Sequence, residues 1–585
     1  MLRIPNLTLD DHFKLEDFQH DFNFVMESLI SVSKNAKDYG ISGLEEVDDT
    51  DKIQELINER GNIYFPKGTY TLTKMIDVYS NTAITLHPEA VFTRKHGGSM
   101  FQTATTTETT GYNGEKRIRF NGGTYKHDGN DSGSNIFSIF HADDVVLNDV
   151  TCLNTVGSHA IDIVGSNDIK VLHCKFEGYK AVAENPDKEA IQIDAAGCNA
   201  YPIYSPEVNA YDGTPTCNVI IDGCRFTASS EYPSHPTAIG QHGQHALKGS
   251  RYKNIRVTNN VLIGDSKWHY SRGIRLMSWE NAIIANNHIE NYITPVFADM
   301  FGTVIEPHGA AIKDDESKFL TVSDEDTLFV GCRNITIANN TINACVSTNI
   351  KCGIWFNIST SLLNNSKENT PKHRGVAITG NIITMPSPTI KSCAIDCETT
   401  EDVVIDGNTI INNAKTDSIG VNVLDYCSNI AIGNNVYKNI TEDNYHYANQ
   451  NTTNIKRKGK KTLWTGKLYN GKMQSDGTNN AQGDIITLSD NISNYDYLIF
   501  EIHMSGTEFR QIDFTKNSTQ VIRTLNLTDS GTSITYGLSE FVFAKKSDTT
   551  IELNVNKFQN MGTTPATATM NSDGQYIKSI TGCNI

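Results

Sequence analysis

Four side chains able to donate or accept a proton lie in or beside short, similar segments in the first half of the chain. They are Asp162, Glu189, Asp194 and His242. The segment Glu189-Ala-Ile-Gln-Ile-Asp194 shows the shared pattern, which is a small residue, an apolar residue, a variable residue and a second apolar residue. Such alternation is typical of a β-strand with one buried face. We therefore expect Ile191 and Ile193 to point inward and Asp194 to point outward.

Related segments occur throughout the middle of the chain, at 159–163, 237–242, 272–276, 310–315, 352–356, 393–398 and 419–423. If these strands stack as rungs about 4.8 Å apart, their variable residues form an exposed column. That column is Asp162, Gln192, Gly240, Arg275, Lys313, Trp355, Asp396 and Asn422. The residues two further along form a second column, Val164, Asp194, His242, Met277, Asp315, Asn357 and Glu398. A polysaccharide laid on this face would contact acids, a histidine, cations and an indole ring.

One chemistry that these side chains suit is hydrolysis of a glycopolymer. Glycoside hydrolysis needs one carboxyl as an acid and another ionised, about 5 to 9.5 Å apart. We expect Asp194 paired with Glu189, or with Asp162 across adjacent rungs, to meet that distance, with His242 as a further proton carrier. Glu189 reaches the face only if the chain bends there, because strict alternation points it the same way as Ile191. The candidate substrate contacts are Gln192, Arg275, Lys313, Trp355 and Asp315.

Other functions use the same face. A lyase needs a base and a cation beside a uronate, for which His242, Arg275 and Lys313 are candidates. Cleavage of a phosphodiester-linked teichoic acid would use a proton carrier, with the two cations neutralising phosphate. A non-catalytic adhesin would use the face for binding alone. The residues do not decide among these chemistries.

We predict no cofactor and no metal. His245 follows His242 by three residues, but zinc sites have tighter ligand patterns than this pair provides. The twelve cysteines contain no CxxC pattern, and several lie in repeat strands, so we interpret them as reduced packing residues.

A second set of strands follows the first, each opening near Asn or Asp, at Asp168, Asn218, Asn254, Asn281, Asn334, Asp402 and Asn429. Many of these strands run into an Asn-Asn or Gly-Asn pair, such as Asn259-Asn260 and Gly407-Asn408. Asn and Gly tolerate left-handed backbone geometry, so the pair marks a recurring bend. A repeat of this length with short strands and Asn-rich corners predicts an all-β protein, a right-handed single-stranded parallel β-helix.

The N-terminal part resembles a known superfamily. Asp48-Asp-Thr-Asp51 precedes a short amphipathic segment, and Pro66-Lys-Gly68 follows as a turn between two strands. This combination closely resembles the opening of the pectate-lyase-like β-helix superfamily, in which such a helix covers the first coil. The superfamily includes lyases, hydrolases, phage tail spikes and non-catalytic binders, so the resemblance implies the fold and not the substrate.

We divide the chain into a helical docking or assembly segment at 1–40, a β-helix at 41–449, a basic linker at 450–461 and a jelly-roll-like β-sandwich at 462–585. The segments Leu463-Trp-Thr-Gly466 and Asn494-Tyr-Asp-Tyr497 resemble C-terminal domains of tail spikes from phages of Gram-positive bacteria. This resemblance implies a homotrimeric receptor-binding protein in the virion tail. It also implies contact with other virion tail proteins through the N-terminal segment, and depolymerisation of a wall teichoic acid or exopolysaccharide.

The overall composition limits the classes of binding partner and the cellular locations that we expect. The formal net charge of -17 argues against a nucleic acid. No apolar run reaches the length of about 18 residues expected of a membrane span. The first residues, Met1-Leu-Arg-Ile-Pro5, lead into acidic sequence without an apolar signal segment, so we do not expect Sec export.

Overall fold

The protein is built almost entirely of β-strands, most of them in three parallel sheets. The computed structural model describes residues 33–128, 133–184, 186, 188–196, 214–241, 251–268, 270–300, 331–344, 352–357, 372–385, 392–413, 418–424, 426–440, 445–447, 453–457, 459–468, 484–492, 495–504, 507–513, 519–529, 534–560, 568–570 and 575–584. It divides into two compact units, one of residues 1–401, 408–427 and 437–450, the other of residues 402–407, 428–436 and 451–585. Among the described residues, none of the helices combines the length and apolar character needed to cross a membrane.

The first unit is a parallel β-helix in which each coil contributes one strand to each of three sheets. Sheet 1 contains Lys34–Asn35, Gly61–Phe65, Thr82–Leu86, Lys116–Asn121, Asp143–Asn148, Asn167–Leu172, Cys217–Asp222, Ile255–Thr258, Trp279–Ala285, Arg333–Ala338 and His373–Thr379, with Tyr252–Lys253 beside Trp279–Ala285. Sheet 2 contains Ile76–Val78, Phe101–Thr103, Phe137–Phe140, Ile161–Val164, Glu189–Asp194, Thr237–Gly240, Arg272–Met277, Thr294–Asp299, Cys352–Phe356, Ser392–Cys397, Ser418–Val423 and Tyr445–Tyr447. Sheet 3 contains Gly68–Leu72, Ala90–Arg94, Thr124–His127, Thr151–Val156, Lys175–Lys180, Arg225–Thr227, Val261–Ile263, His288–Glu290, Thr341–Asn343, Ile382–Met385, Thr409–Asn412 and Val436–Lys438. The predicted parallel β-helix is confirmed.

The Asn-rich corners form for the reason that the sequence indicates. All seven Asn and Asp residues that open the second set of strands have positive φ, from 51° at Asp168 to 60° at Asn254. The first residue of the Asn-Asn or Gly-Asn pair is also left-handed, as at Asn259, Asn286, Asn339 and Gly407. These are the residue types that adopt this region at least cost.

The second residue of each pair has a different role, because it turns into the interior. These residues form what we call the asparagine ladder, Asn260, Asn287, Asn340, Asn381 and Asn408, all at most 2% exposed. In each step the side-chain oxygen of one Asn accepts from the backbone N–H and the side-chain amide of the Asn on the preceding coil, as Asn340 does from Asn287 at 2.9 Å. The ladder therefore satisfies the polar groups of the corner inside an otherwise apolar core.

The small residue of the repeated pattern is required by packing between sheets 2 and 3. A Cβ on Gly273 would lie 2.5 Å from the carbonyl oxygen of Pro295 and 2.8 Å from a methyl group of Ile289. A Cβ on Gly353 would lie 2.7 Å from a methyl group of Ile383. All three distances are too short for a side chain, so these two rungs require glycine at this position.

A helix at Thr50–Asn58 buries Ile53, Leu56 and Ile57, as predicted for the N-terminal part. The backbone N–H of Thr50 is capped by Asp48 Oδ1 at 3.0 Å, whereas Asp49 accepts from Ser42 and Gly43. Of the predicted helical segment 1–40, residues 1–32 lie outside the described part; Lys34–Asn35 is a strand and Ala36–Tyr39 a 3-10 helix.

The second unit carries an antiparallel β-structure with its own core. One sheet contains Gly459–Leu468, Gln575–Asn584, Tyr497–Met504 and Thr507–Asp513; the other contains Ile485–Thr487, Thr550–Asn560, Ile534–Ser547, Thr519–Asp529 and Ala568–Met570. Apolar residues such as Phe500, Phe541 and Ile580 form the core.

The second unit also includes most of Thr400–Asp406 and the parallel pair Ser428–Ile432 with Thr453–Arg457. Strand residues 453–457 and 459–461 thus lie within the predicted linker.

Candidate functional site

The variable residues of sheet 2 do stack across adjacent strands. Pairing places Asp162 beside Gln192, Gln192 beside Gly240, and Trp355 beside Asp396, which in turn pairs with Asn422. We call the stack from Asp162 to Asn422 the site column. A Cβ on Gly240 would lie 2.7 Å from Cβ of Arg275, so Arg275 occupies the next position.

One rung differs from the sequence prediction. Between Arg275 and Trp355 the site column contains Phe297, from strand Thr294–Asp299, where we had placed Lys313. Lys313 and Asp315 lie outside the described residues, as do His242 and His245. Their predicted contributions to the site stay predictions.

Three carboxyl groups and an amide form what we call the acidic cluster, Asp162, Glu189, Asp194 and Gln192. The side-chain amide of Gln192 donates to Oδ2 of Asp194, which lies two residues further along the same strand. Oδ2 of Asp162 accepts from the side-chain amide of Asn135 at 3.1 Å. A carboxylate oxygen of Glu189 lies 3.7 Å from Nδ1 of His159 on the preceding rung.

The environment of Asp162 favours its protonated form. Burial raises the pKa of Asp162 well above its usual range, and the neighbouring charge of Asp194 raises it further. The hydrogen bond from Asn135 and the charge of Lys188 act in the opposite direction, whereas the charge of Glu189 adds to the rise. The cluster therefore combines a carboxyl held as an acid with a second carboxyl nearby.

The predicted exposure of this face is wrong. Asp162 is 3% exposed, Asp194 1% and Glu189 0%. The physical reason is that these side chains pack among their neighbours rather than extending singly into water, with Asp162 bonded to Asn135 and Asp194 to Gln192. Gln192 and Arg275, at 4% and 3% exposed, are buried in the same way.

The middle of the site column is aromatic and cationic. The rings of Phe297 and Trp355 are 4.8 Å apart between centroids, and the guanidinium of Arg272 lies 5.3 Å over the Phe297 ring. Arg275 makes a buried ion pair with Asp299, at 3.4 Å between Nη2 and Oδ2. Trp355 is partly exposed, as expected for a ring that could stack on a sugar. Trp268 and Trp279 are buried packing residues.

The sequence prediction missed Asn135, Arg272, Phe297 and Asp299. The segment Thr294-Pro-Val-Phe-Ala-Asp299 has the apolar alternation of a rung, but Pro295 stands where the repeat has a small residue. Because proline lacks an N–H and disfavours strand interiors, the segment resembled a loop. Asn135 lies two residues before the strand Phe137–Phe140, as His159 lies two residues before Ile161–Val164, and no repeated motif marks it.

Comparison with known proteins supports the fold. Residues 33–194 match a family model described as "Rhamnogalacturonase A/epimerase, pectate lyase-like". The crystallised surface protein and adhesin PfbA of Streptococcus pneumoniae has a TM-score of 0.51 and 21% identity, over 73% of this chain and 100% of that chain. Tailspike protein 3 of bacteriophage CBA120 has a TM-score of 0.41 and 10% identity, over 73% of this chain and 61% of that chain, which is too distant for further argument. The pectate-lyase-like β-helix superfamily is thus supported.

One curated relative also shares sequence. The plasmin and fibronectin-binding protein A of Streptococcus pneumoniae is 27% identical over 291 residues, which are 44% of this chain and 39% of that protein. The predicted location in a virion tail is therefore wrong, because the relatives in sequence and fold are a pneumococcal binding protein and a surface adhesin. The predicted contact with other virion tail proteins rested on that location, so it is no longer supported.

Proposed function

We propose that the face of sheet 2 binds a bacterial surface glycopolymer and hydrolyses it at the acidic cluster. The observation that carries this proposal is that the pKa of Asp162 is raised by burial and by the charge of Asp194 on the adjacent strand. Glycoside hydrolysis uses one carboxyl group held as an acid and a second carboxyl group nearby.

In this proposal each acid has a distinct role. Asp162 protonates the leaving oxygen of the glycosidic bond, because burial raises its pKa and favours the protonated form. Asp194, oriented by the amide of Gln192, acts as nucleophile or activates a water. Glu189 adds negative charge that supports the protonated state of Asp162. His242, which follows the next rung in sequence, is proposed as a further proton carrier.

The aromatic and cationic part of the column supplies the binding surface. Trp355 provides a partly exposed ring for sugar stacking, the buried Phe297 ring packs beside it, and Arg272 provides a cation next to Phe297. A wall teichoic acid or an anionic exopolysaccharide would use both features. Lys313 and Asp315 are proposed as additional contacts from the neighbouring segment of the chain.

A second candidate is a non-catalytic adhesin at the bacterial cell surface. It is favoured by the names of the relatives, one a plasmin and fibronectin-binding protein and the other a surface adhesin. In that case the acidic cluster would be a hydrogen-bonded network within the β-helix. A polysaccharide lyase acting through Arg275 and His242 is the remaining alternative.

The test is incubation of the purified protein with wall teichoic acid and with exopolysaccharide, followed by three product assays. New reducing ends indicate glycoside hydrolysis, new phosphomonoesters indicate phosphodiester cleavage, and ultraviolet absorbance of an unsaturated sugar indicates a lyase. Polymer binding is measured in parallel, so that an adhesin is recognised by binding without products.

Variants then locate the site. We expect Asp162→Asn and Asp194→Asn each to lower turnover by about a hundredfold or more while polymer still binds. The matched control is Asp168→Asn on sheet 1, where Asp168 pairs with Lys170 at the surface and Asn also tolerates the positive φ. Full activity in both cluster variants would exclude this site.

A further inference from the structure

Two cysteines and an aspartate meet near the later rungs of sheet 2. Cys352 and Cys393 are direct partners on adjacent strands, and their sulfur atoms are 3.0 Å apart. The sulfur of Cys352 lies 3.5 Å from Oδ2 of Asp396. One ligand atom from each of the three residues lies within 4.8 Å of the other two. We call this group the Cys-Asp cluster.

The cluster differs from another buried pair of cysteines in the β-helix. The thiols of Cys174 and Cys224 donate to backbone carbonyl oxygens, at 3.5 Å to Leu147 and 3.4 Å to Val171. Those thiols are therefore satisfied as packing residues. Cys174 and Cys224 also bond to each other through their side chains, but only the pair of Cys352 and Cys393 faces a carboxylate as well, that of Asp396.

Residues around the cluster hold it in place and leave a path to it. The side-chain amide of Asn422 donates to Oδ1 of Asp396 at 3.0 Å, which leaves Oδ2 facing the thiols. The indole of Trp355 packs against both cysteines. Cys393 and Asp396 are 7% and 8% exposed, so the cluster is enclosed but not sealed. An outer amide that orients a ligand carboxylate is a usual feature of metal sites.

We infer that the Cys-Asp cluster binds a thiophilic divalent cation such as Zn²⁺, with Cys352, Cys393 and Asp396 as ligands. Two thiolates and a carboxylate match the ligand preference of zinc and leave one coordination position for water or a ligand. At a zinc–sulfur distance of about 2.3 Å the two sulfurs would lie about 3.8 Å apart, so each moves by well under an ångström. The two thiol protons are released on binding.

The sequence gives little sign of this site, because its cysteines come from different rungs, 41 residues apart in the chain. Its position beside Trp355 has a structural consequence. A bound cation would join two adjacent rungs of sheet 2 and fix the ring that we propose as a sugar platform. The inference does not depend on the hydrolytic role of the acidic cluster.

The first experiment uses the reduced, full-length protein with Zn²⁺ or Cd²⁺ alone. We expect Cd²⁺ to produce the near-ultraviolet thiolate charge-transfer band, and Zn²⁺ to bind with one more equivalent per chain than in the double variant Cys352→Ser/Cys393→Ser. The control Cys174→Ser/Cys224→Ser should keep both the band and the extra equivalent. Asn422→Ala retains all three ligands and should weaken Zn²⁺ binding by about 10- to 100-fold.

A different result would overturn the inference. It is wrong if reduced wild-type protein shows no thiolate band and binds no more Zn²⁺ than the Cys352/Cys393 variant. It is also wrong if the band is lost in the Cys174/Cys224 variant instead. A disulfide between Cys352 and Cys393 in unreduced protein, together with no Zn²⁺ uptake after reduction, would identify the pair as a covalent link between rungs.

Discussion

At the scale of single residues, the acidic cluster places three carboxyl groups in a buried environment, where carboxyl groups are normally rare. Burial of a charged carboxylate is costly unless it is bonded or protonated. Asp162 meets this requirement through a raised pKa and a hydrogen bond from Asn135. The same property makes the residue suitable as a proton donor, and it also makes the stability of the fold depend on pH.

That dependence gives a prediction with a definite sign. The unfolded chain ionises Asp162 above a pKa of about 3.9, whereas the folded protein holds the proton to higher pH. This contribution to stability is complete below the unfolded pKa and is lost as pH rises through the folded pKa. The variant Asp162→Asn does not lose stability in this way, since its side-chain amide stays neutral at every pH.

We therefore expect the free energy of unfolding of wild type, relative to that of Asp162→Asn, to fall as pH rises above about 4. The slope cannot exceed about 1.4 kcal/mol per pH unit for one proton. Urea unfolding of both proteins at several pH values measures it. A difference that stays constant or rises with pH would contradict the raised pKa.

Trp355 allows a second test at this scale. Its partly exposed ring lies tilted beside that of Phe297, and we expect Trp355→Ala to weaken glycopolymer binding by about three- to tenfold, the usual contribution of one aromatic contact. Trp355→Phe keeps a ring face and should lose less. Isothermal titration with a defined oligosaccharide measures both. Equal binding by all three proteins would place the polymer elsewhere.

At the scale of elements, the asparagine ladder couples one coil to the next. Each ladder residue has both its amide and its carbonyl engaged with neighbouring coils, so removal of one side chain affects several buried groups. In Asn340→Ala, Asn287 would lose an acceptor, and Ile284 and Asn381 would lose a donor.

We expect Asn340→Ala to lower the free energy of unfolding by on the order of 3 kcal/mol, because more than one buried polar group is left without its partner. The neighbouring Asn339 has positive φ, so Asn339→Gly is the matched control and should change stability little. Thermal and urea unfolding measure both variants. A loss in the control as large as in Asn340→Ala would assign the effect to the bend rather than to the ladder.

The strands and bends of the β-helix could be predicted from the sequence, because the alternation of apolar residues and the Asn-rich bends depend on neighbouring residues in the chain. Alternation placed Ile191 and Ile193 inside, and Asn259-Asn260 marked a bend, as observed. The burial of Asp194 could not be predicted, because it depends on side chains from other coils. The rung with Phe297 was missed because Pro295 broke the pattern that defined a rung.

At the scale of the whole molecule, the net charge of the protein should affect an anionic teichoic acid and a neutral exopolysaccharide differently. The net charge of -17 repels an anionic polymer at long range, although Arg272 offers a local contact. Raising the ionic strength from about 0.01 to 0.15 M shortens the screening length from about 30 to 8 Å.

We expect the association rate of a wall teichoic acid to increase over this salt range, and that of a neutral exopolysaccharide to stay constant. Stopped-flow measurements with labelled polymer test both. A teichoic acid association rate that falls with salt would show that local cations outweigh the net charge.

The homotrimer stays a prediction that rests on resemblance alone. Because the chain mass is 64.7 kDa, light scattering would give about three times that value for a trimer. A solution mass equal to one chain, at the concentrations used for polymer binding, would contradict it.

The spacing of the exposed corner asparagines bears on how such a protein can change over evolution. Asn254 and Asn281 bond to each other across 27 residues of chain, and Asn281 and Asn334 do so across 53. Doubling the length of a flexible connection costs only about 0.6 kcal/mol in closure entropy. Whole loops between coils can therefore be gained, lost or exchanged at a cost smaller than that of one buried hydrogen bond left unmade, so the surface of the β-helix can change while its scaffold stays the same.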